Sequence, residues 1–324
     1  MVTTEDGFEM PSNKVKLVEN CWEYRRTEFS LCDDCFDRPL ALTDRPPVFK
    51  KKHASRNVLL KDAEPVSIEV LNTITEEKRH KWFGSMASSQ ALTQSVFGNL
   101  IAYGKLDCLR ALVGDDGKPL FIRDSAHGSK CQLEFEVDYL GEKSRGRTSI
   151  DVLFNGNYRI AVKCKLSEPK VGGCSRPRLI AGDPRRCNGS YKVQSPRKLR
   201  CSLTEIGVRY WSYIPELFDW SAEIDHDPCP LNSTYQLVRN LLAVCVDRTG
   251  RVGLDFGHVV LLYDSRNPAF QGDGKGICAW KKVRAALKKP SLMQKCTWQE
   301  IVTRLRADST LDWLATGLTR KYGF

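Results

Sequence analysis

The stretch TSIDVLFNGNYRIAVKCKLSE, residues 148–168, constrains the fold more than any other part of the chain, because its alternation and its turn specify a β-hairpin. Ile150, Val152 and Phe154 alternate with Ser149, Asp151 and Leu153. After Asn155-Gly156-Asn157, residues Tyr158, Ile160, Val162, Cys164 and Leu166 alternate with Arg159, Ala161, Lys163 and Lys165. A period of two is what a half-buried strand requires. With 155–157 as the loop, Phe154 pairs with Tyr158, Val152 with Ile160 and Ile150 with Val162, apolar against apolar. The other face then carries Asp151, Lys163 and Lys165, with Asp151 opposite Ala161 and diagonal to Lys163. Diagonal neighbours stand roughly 7–8 Å apart, close enough to share an ion or a phosphate.

The flanking segments extend the pattern. Upstream, SSQALTQSVFGNLIAYG gives a helix with Leu92, Val96, Leu100 and Tyr103 on one stripe and Ser88 or Ser89 as N-cap, followed by a strand over 132–140. Downstream come a helix in LTEIGVRYWSYIPELFDW, with Tyr210, Trp211 and Tyr213 as core packing, and an apolar strand over 258–264. An Asp on one strand of a hairpin and a Lys two residues past the second-acid position on the next resembles the PD-(D/E)xK restriction-endonuclease-like superfamily. The element order resembles its αβββαβ core with a mixed central sheet.

The resemblance implies that Asp151 is the first metal-binding acid, that Lys165 positions or activates the attacking water, and that Mg²⁺ or Mn²⁺ is the cofactor. The second acid falls at position 163, where this chain has Lys163. An ammonium there removes an oxygen ligand and adds repulsion, about 4 kcal/mol at ~4 Å with an effective dielectric near ~20. Glu168, beyond the strand end, or Glu134 and Glu136, on the polar face of QLEFEVDYL, are the replacement oxygens. Glu136 and Glu168 therefore join Asp151 as metal candidates. In the resembled superfamily the first core helix often lends an acid or amide, which makes Gln90 a further catalytic candidate beside Asp151, Lys163, Lys165 and Glu136. His80, in EEKRHKWFG, reads as a cap or packing element.

The implied function is Mg²⁺-dependent hydrolysis of DNA phosphodiesters by an endonuclease of restriction or phage-defence type, impaired by Lys163. The competing reading is a nuclease-fold DNA-binding module without cleavage, and a third is a metal-cluster protein with a structural role in a larger assembly. Charge agrees with a nucleic-acid partner: Lys plus Arg number 50 against 39 Asp plus Glu, a net +11, which favours polyanions. Lys165, Lys170, Arg176, Arg178, Arg185, Arg186, Lys192, Arg197, Lys198 and Arg200 follow the proposed active strand and could track phosphates. A homodimer is a further expectation.

With 324 residues and 41% hydrophobic content, the chain reads as a folded protein. We expect an N-terminal arm or small appended region over 1–78, punctuated at Pro39, Pro46 and Pro47, and a nuclease-like core over 79–270 that includes a basic, Cys-containing loop at 168–230. A helical C-terminal segment over 271–324 follows, with a basic amphipathic helix in AWKKVRAALKKP and a capping box at Thr297 and Glu300. No stretch reaches the roughly 18 apolar residues of a membrane span, and MVTTEDGFEMPSNK lacks a signal-peptide pattern, so the expected location is cytoplasmic.

The 13 cysteines then read as thiols or metal ligands rather than a disulfide framework. Cys174, Cys187, Cys201 and Cys229 follow one another in and beyond the basic loop; they read as ligands of a Zn²⁺ or iron–sulfur cluster, or as separate thiols. Cys32-Asp33-Asp34-Cys35 has C-x₂-C spacing, with Cys21 and His53 as conceivable partners in a zinc knuckle. No GxxxxGK[ST], post-strand GxGxxG or HExxH occurs, which removes ATP-driven, dinucleotide and zincin chemistry.

Overall fold

The computed structural model describes residues 12–37, 42–61, 65–114, 117–121, 130–142, 149–195 and 197–324. Pro39 and Thr148 lie outside them. Five strands, β1 (Lys130–Glu136), β2 (Ser149–Asn155), β3 (Arg159–Lys165), β4 (Gly257–Tyr263) and β5 (Met293–Thr297), form one mixed sheet in sequence order. β1, β2 and β3 pair antiparallel, whereas β3–β4 and β4–β5 are parallel. Each parallel step needs a crossover, and helices supply it. The helices are α1 (Ser12–Glu28), α2 (Val66–Asn72), α3 (89–102), α4 (Ser202–Glu205), α5 (Tyr210–Leu217), α6 (Leu231–Cys245), α7 (Lys275–Ala286), α8 (Trp298–Arg306) and α9 (Asp312–Tyr322). None of the described helices is long and apolar enough to cross a membrane.

Both faces of the sheet are covered. Leu92, Val96 and Phe97 of α3 pack with Val152, Phe154, Val162 and Leu262, together with Ile301 of α8 and Leu318 of α9. On the other face Leu237 and Leu241 of α6, Ile214 of α5 and Val283 of α7 pack with Leu153, Ala161 and Leu261. Burial on two faces explains why β4 reads as the unbroken apolar run HVVLLY. The sequence α3, β1, β2, β3, α6, β4 is the expected αβββαβ core.

Three details differ from the sequence expectations. The hairpin pairs Val152 with Val162, Leu153 with Ala161 and Phe154 with Ile160, two residues out of the expected register, so Asp151 stands beside Lys163 rather than Ala161. The core helix between β3 and β4 is α6; the segment 202–217 is instead broken into α4 and α5 around Gly207, whose φ of 93° only glycine adopts freely. Residues 271–324 are not wholly helical, since they also supply β5.

α3 contains a π-helical turn, Gln94–Gly98. Buried Gln94 donates from Nε2 to Val70 O and Leu71 O, both at 3.0 Å. A Cβ at Gly98 would meet Thr73 Oγ1 at 3.0 Å, so glycine lets α2 approach closely. Such turns concentrate near functional sites, and this one lies one turn beyond Ser89 and Gln90. Ser88 is the N-cap, accepting from Ala91 N at 3.2 Å.

Candidate active site

The pairs Leu133↔Val152 and Phe135↔Ile150 flank Glu134 and Asp151, so these two acids face each other across β1 and β2. Val152↔Val162 brings Lys163 alongside Asp151 from β3. Glu134 has a φ of 47°, in the left-handed region that a branched or long side chain seldom enters. Around it the strands change face. Leu133 and Val152 join one apolar layer, while Phe135 and Ile150 join the other. The irregularity opens a polar cleft of about 320 Å³, lined by Glu134, Asp151, Lys163, Lys165, Gln90 and Glu168, among others.

Every one of these side chains is held. Lys163 Nζ donates to Asp151 Oδ1 at 2.7 Å, with the two side chains only 10% and 16% exposed. Cys164 N donates to Asp151 Oδ2 at 2.7 Å. Gln90 donates from Nε2 to Glu134 Oε1 at 2.7 Å and to Lys78 O at 3.0 Å, and its Oε1 accepts from His80 N at 3.0 Å. Glu168 is fixed at both oxygens, by Ser89 Oγ and by Leu166 N, each at 2.6 Å. Lys165 Nζ donates to Gln236 Oε1 of α6 at 3.4 Å.

The electrostatics follow from this crowding. Burial, then the charge of Asp151, pushes the Glu134 carboxyl above its ordinary value, against the opposing pull of Ser149, Gln90 and Lys163. Burial, then the like charge of Lys163, pulls Lys165 down, while Glu168 and Asp151 oppose this. Burial also lowers His80, with Glu168 opposing. Trp82 N donates to His80 Nδ1 at 3.0 Å, which leaves the ring proton on Nε2, facing Ser88 Oγ at 3.4 Å. One carboxyl disfavoured by a second is the condition that a shared cation relieves.

Of the residues singled out from sequence, Asp151, Lys163, Lys165, Gln90 and Glu168 meet in this cleft. Glu136 does not: it lies exposed at the end of β1. The expected shared polar face of Glu134 and Glu136 is broken by the change of face at Glu134, and Glu134 is the acid in the cleft. Ser89, Thr93, Ser149, Lys78 and His80 also line it. His80 had a signal in its position just before the helix; Ser89 had one only as a candidate cap.

The cysteines fall elsewhere. Cys174, Cys187, Cys201 and Cys229 line a second, small cavity. Cys32 and Cys35 are joined as a disulfide, so they are not the thiols of a zinc knuckle, and Cys21 donates from Sγ to Lys321 O at 3.9 Å. In the basic loop Arg185, Lys192 and Arg200 pair with Asp183, Asp227 and Asp225, which leaves part of the expected phosphate-tracking charge neutralised.

Residues 26–323 match a family described as Restriction Endonuclease associating with ARP. The chain belongs to that family. The match runs from the last residues of α1 through the whole sheet and α9, so the mixed fold and the cleft both lie within the matched residues. No curated protein and no solved structure matches the chain.

Proposed function

We propose that the protein hydrolyses DNA phosphodiesters with a divalent ion, and that Glu134 and Asp151 are its carboxylate pair. The reading is carried by the face-to-face placement of Glu134 and Asp151, with Lys165, in one polar cleft of a restriction-endonuclease-like chain. Among the described residues no group of three or more His, Cys, Asp and Glu stands ready to hold a metal. Mg²⁺ does not ask for one. It is commonly held by one or two carboxylates, with waters and substrate phosphate completing its shell. The mutual repulsion of Glu134 and Asp151 fits that donor set, and Mn²⁺ suits the same oxygens.

When bound, the ion polarises the phosphate and favours deprotonation of a water. The chain's own groups do the rest. Lys165, buried and braced by Gln236, places a cation where charge builds on the phosphate oxygens. Gln90 holds the Glu134 carboxylate and the 78–80 segment together. Lys163 holds Asp151 and occupies the position of the second acid, which makes it a competitor for the same carboxylate.

That ion pair is also the observation that favours the second reading, a DNA-binding module without cleavage. Incubating the protein with supercoiled plasmid and Mg²⁺ or Mn²⁺ separates the two. Ion-dependent nicking, lost by at least about 100-fold in Asp151→Ala and in Glu134→Ala, is expected. Salt-sensitive binding with no nicking in either ion would establish the module instead.

A further inference from the structure

We propose that Cys174, Cys187, Cys201 and Cys229 form a structural zinc centre that closes the long connection between β3 and α6. The four thiols come from well-separated points of the chain, yet all line one cavity of about 20 Å³. Part of that connection is anchored by Tyr191, which is buried, stacks on Trp211 and bridges to His226; the rest is irregular. Between β3 and α4 the described residues contain no regular element beyond the short 3₁₀ turn Arg176–Arg178, and Ile180, Val193 and Leu199 are exposed instead of forming a core.

The backbone already brings the ligating segments together. Cys174 N donates to Asn232 O at 3.1 Å, and Cys229 N donates to Gly189 O at 2.8 Å. A Cβ at Gly173 would meet Asn232 O at 2.2 Å, so only glycine lets the segment carrying Cys174 lie this close to α6.

A second observation points to a ligand in the cavity. Ser202 lines it, is 2% exposed, and its Oγ has no hydrogen-bond partner. Buried hydroxyls are seldom left unpaired, and a thiolate sulfur of a closed centre would accept that proton. Arg176 and Arg200 line the same cavity. Four thiolates around one dication carry a net charge of about −2; the Arg176 guanidinium offsets part of it, while Arg200 is already paired with Asp225. The size of the cavity selects a single ion: about 20 Å³ holds roughly one water-sized centre, too little for an iron–sulfur cubane.

Among the described residues the sulfurs line the space without sharing a common centre, so side-chain rotation between staggered positions must bring them onto one ion. Binding transfers a proton from each ligating S–H to water and leaves thiolates on the ion.

The full-length protein tests this directly. Elemental analysis should find about one zinc per chain, and X-ray absorption should find four sulfurs at about 2.3 Å. Cys187→Ser/Cys201→Ser should lower the zinc content to below about a tenth of an equivalent. Should that variant not fold, the wild-type chain treated with a chelator gives the same answer: zinc release should expose four thiols to a disulfide reagent and open the connection to protease. Wild-type protein that neither carries zinc nor takes it up from solution overturns the proposal. So does a brown iron–sulfur absorbance, and so does a pair of disulfides among the four cysteines.

Discussion

At position 163 the side chain stands beside Asp151 and gives its ammonium to Oδ1 at 2.7 Å, so the residue type there sets the charge of the cleft. Lys163→Glu changes that charge by two units and adds a third carboxylate to the row formed by Glu134 and Asp151. Each new contact at ~4 Å costs about 4 kcal/mol at an effective dielectric near ~20. The variant should therefore melt lower than wild type in chelator, recover in Mg²⁺, and nick plasmid at least about 10-fold faster. Unchanged melting and unchanged nicking in both conditions would show that the cleft is not a cation site. The pH profile supplies a second test. Glu134 has its carboxyl raised by burial and by Asp151, so it is protonated at pH values where an ordinary Glu is charged, and the acid limb of activity should lie above the ordinary Glu range. Its contribution to stability, present below the ordinary Glu value, is lost as pH rises through the raised one. Asp151, Lys163 and Lys165 were legible in sequence because odd positions share a face. Glu134 was not separable from Glu136, because a φ of 47° at a glutamate leaves no mark in residue type; a glycine or asparagine there would have signalled it.

α3 is the element that turns a polar cleft into an ordered one, since Ser88, Ser89 and Gln90 sit at its first turn. Ser88→Ala should cost about 1 kcal/mol through loss of the cap to Ala91 N, read as a lower urea midpoint. Gln90→Ala acts differently. It releases Glu134 and the 78–80 segment, so nicking should fall about 10- to 100-fold. The acid limb should move further up, because the Gln90 hydrogen bond lowers the Glu134 carboxyl. A drop in rate with no movement of that limb would assign Gln90 to packing alone. Periodicity made α3 and the β2–β3 hairpin readable. It could not fix the hairpin register, because a slip of two residues keeps every side chain on its face: Phe154 meets an apolar partner in Tyr158 as well as in Ile160. α6 has an apolar stripe in Leu237, Val238, Leu241 and Leu242, but its start follows the proline-containing DPCP, which reads as a turn rather than a helix entry. β5, five residues reading MQKCT, offers too short an alternation to be distinguished from a loop.

Across the whole molecule both ends of the described chain pack into one apolar layer. From sequence the N-terminal stretch reads as an arm or small appended region and the C-terminal stretch as a helical segment. Leu17 and Cys21 of α1, Phe36, Phe49 and Leu59 share an apolar layer with α8 and α9 and with the strands. The boundary was illegible because the contacts that erase it join residues some 300 positions apart, as Cys21 and Lys321 do. Lys321 is the strongest tie. Fully buried on α9, its Nζ donates to Asn57 O at 2.5 Å and Asn57 Oδ1 at 2.7 Å, and it lies over the rings of Tyr24 and Tyr322. Burial pulls its pKa down to about 7. Between that value and the ordinary lysine range the unfolded chain binds a proton that the folded chain does not, so stability should rise with pH across this window. Below about 7 the folded protein must charge a buried amine, and the full penalty applies. Each pH unit of the window corresponds to about 1.4 kcal/mol, so the whole effect is on the order of a few kcal/mol. Lys321→Met gives up two hydrogen bonds to Asn57 but carries no proton. It should flatten the rise in denaturation midpoint between pH 7 and pH 9.5, roughly the window between the lowered and the ordinary lysine values, and its stability relative to wild type should improve as pH falls. Parallel pH profiles for wild type and Lys321→Met would mean that the amine stays charged when buried, with Asn57 and the two rings together compensating its desolvation.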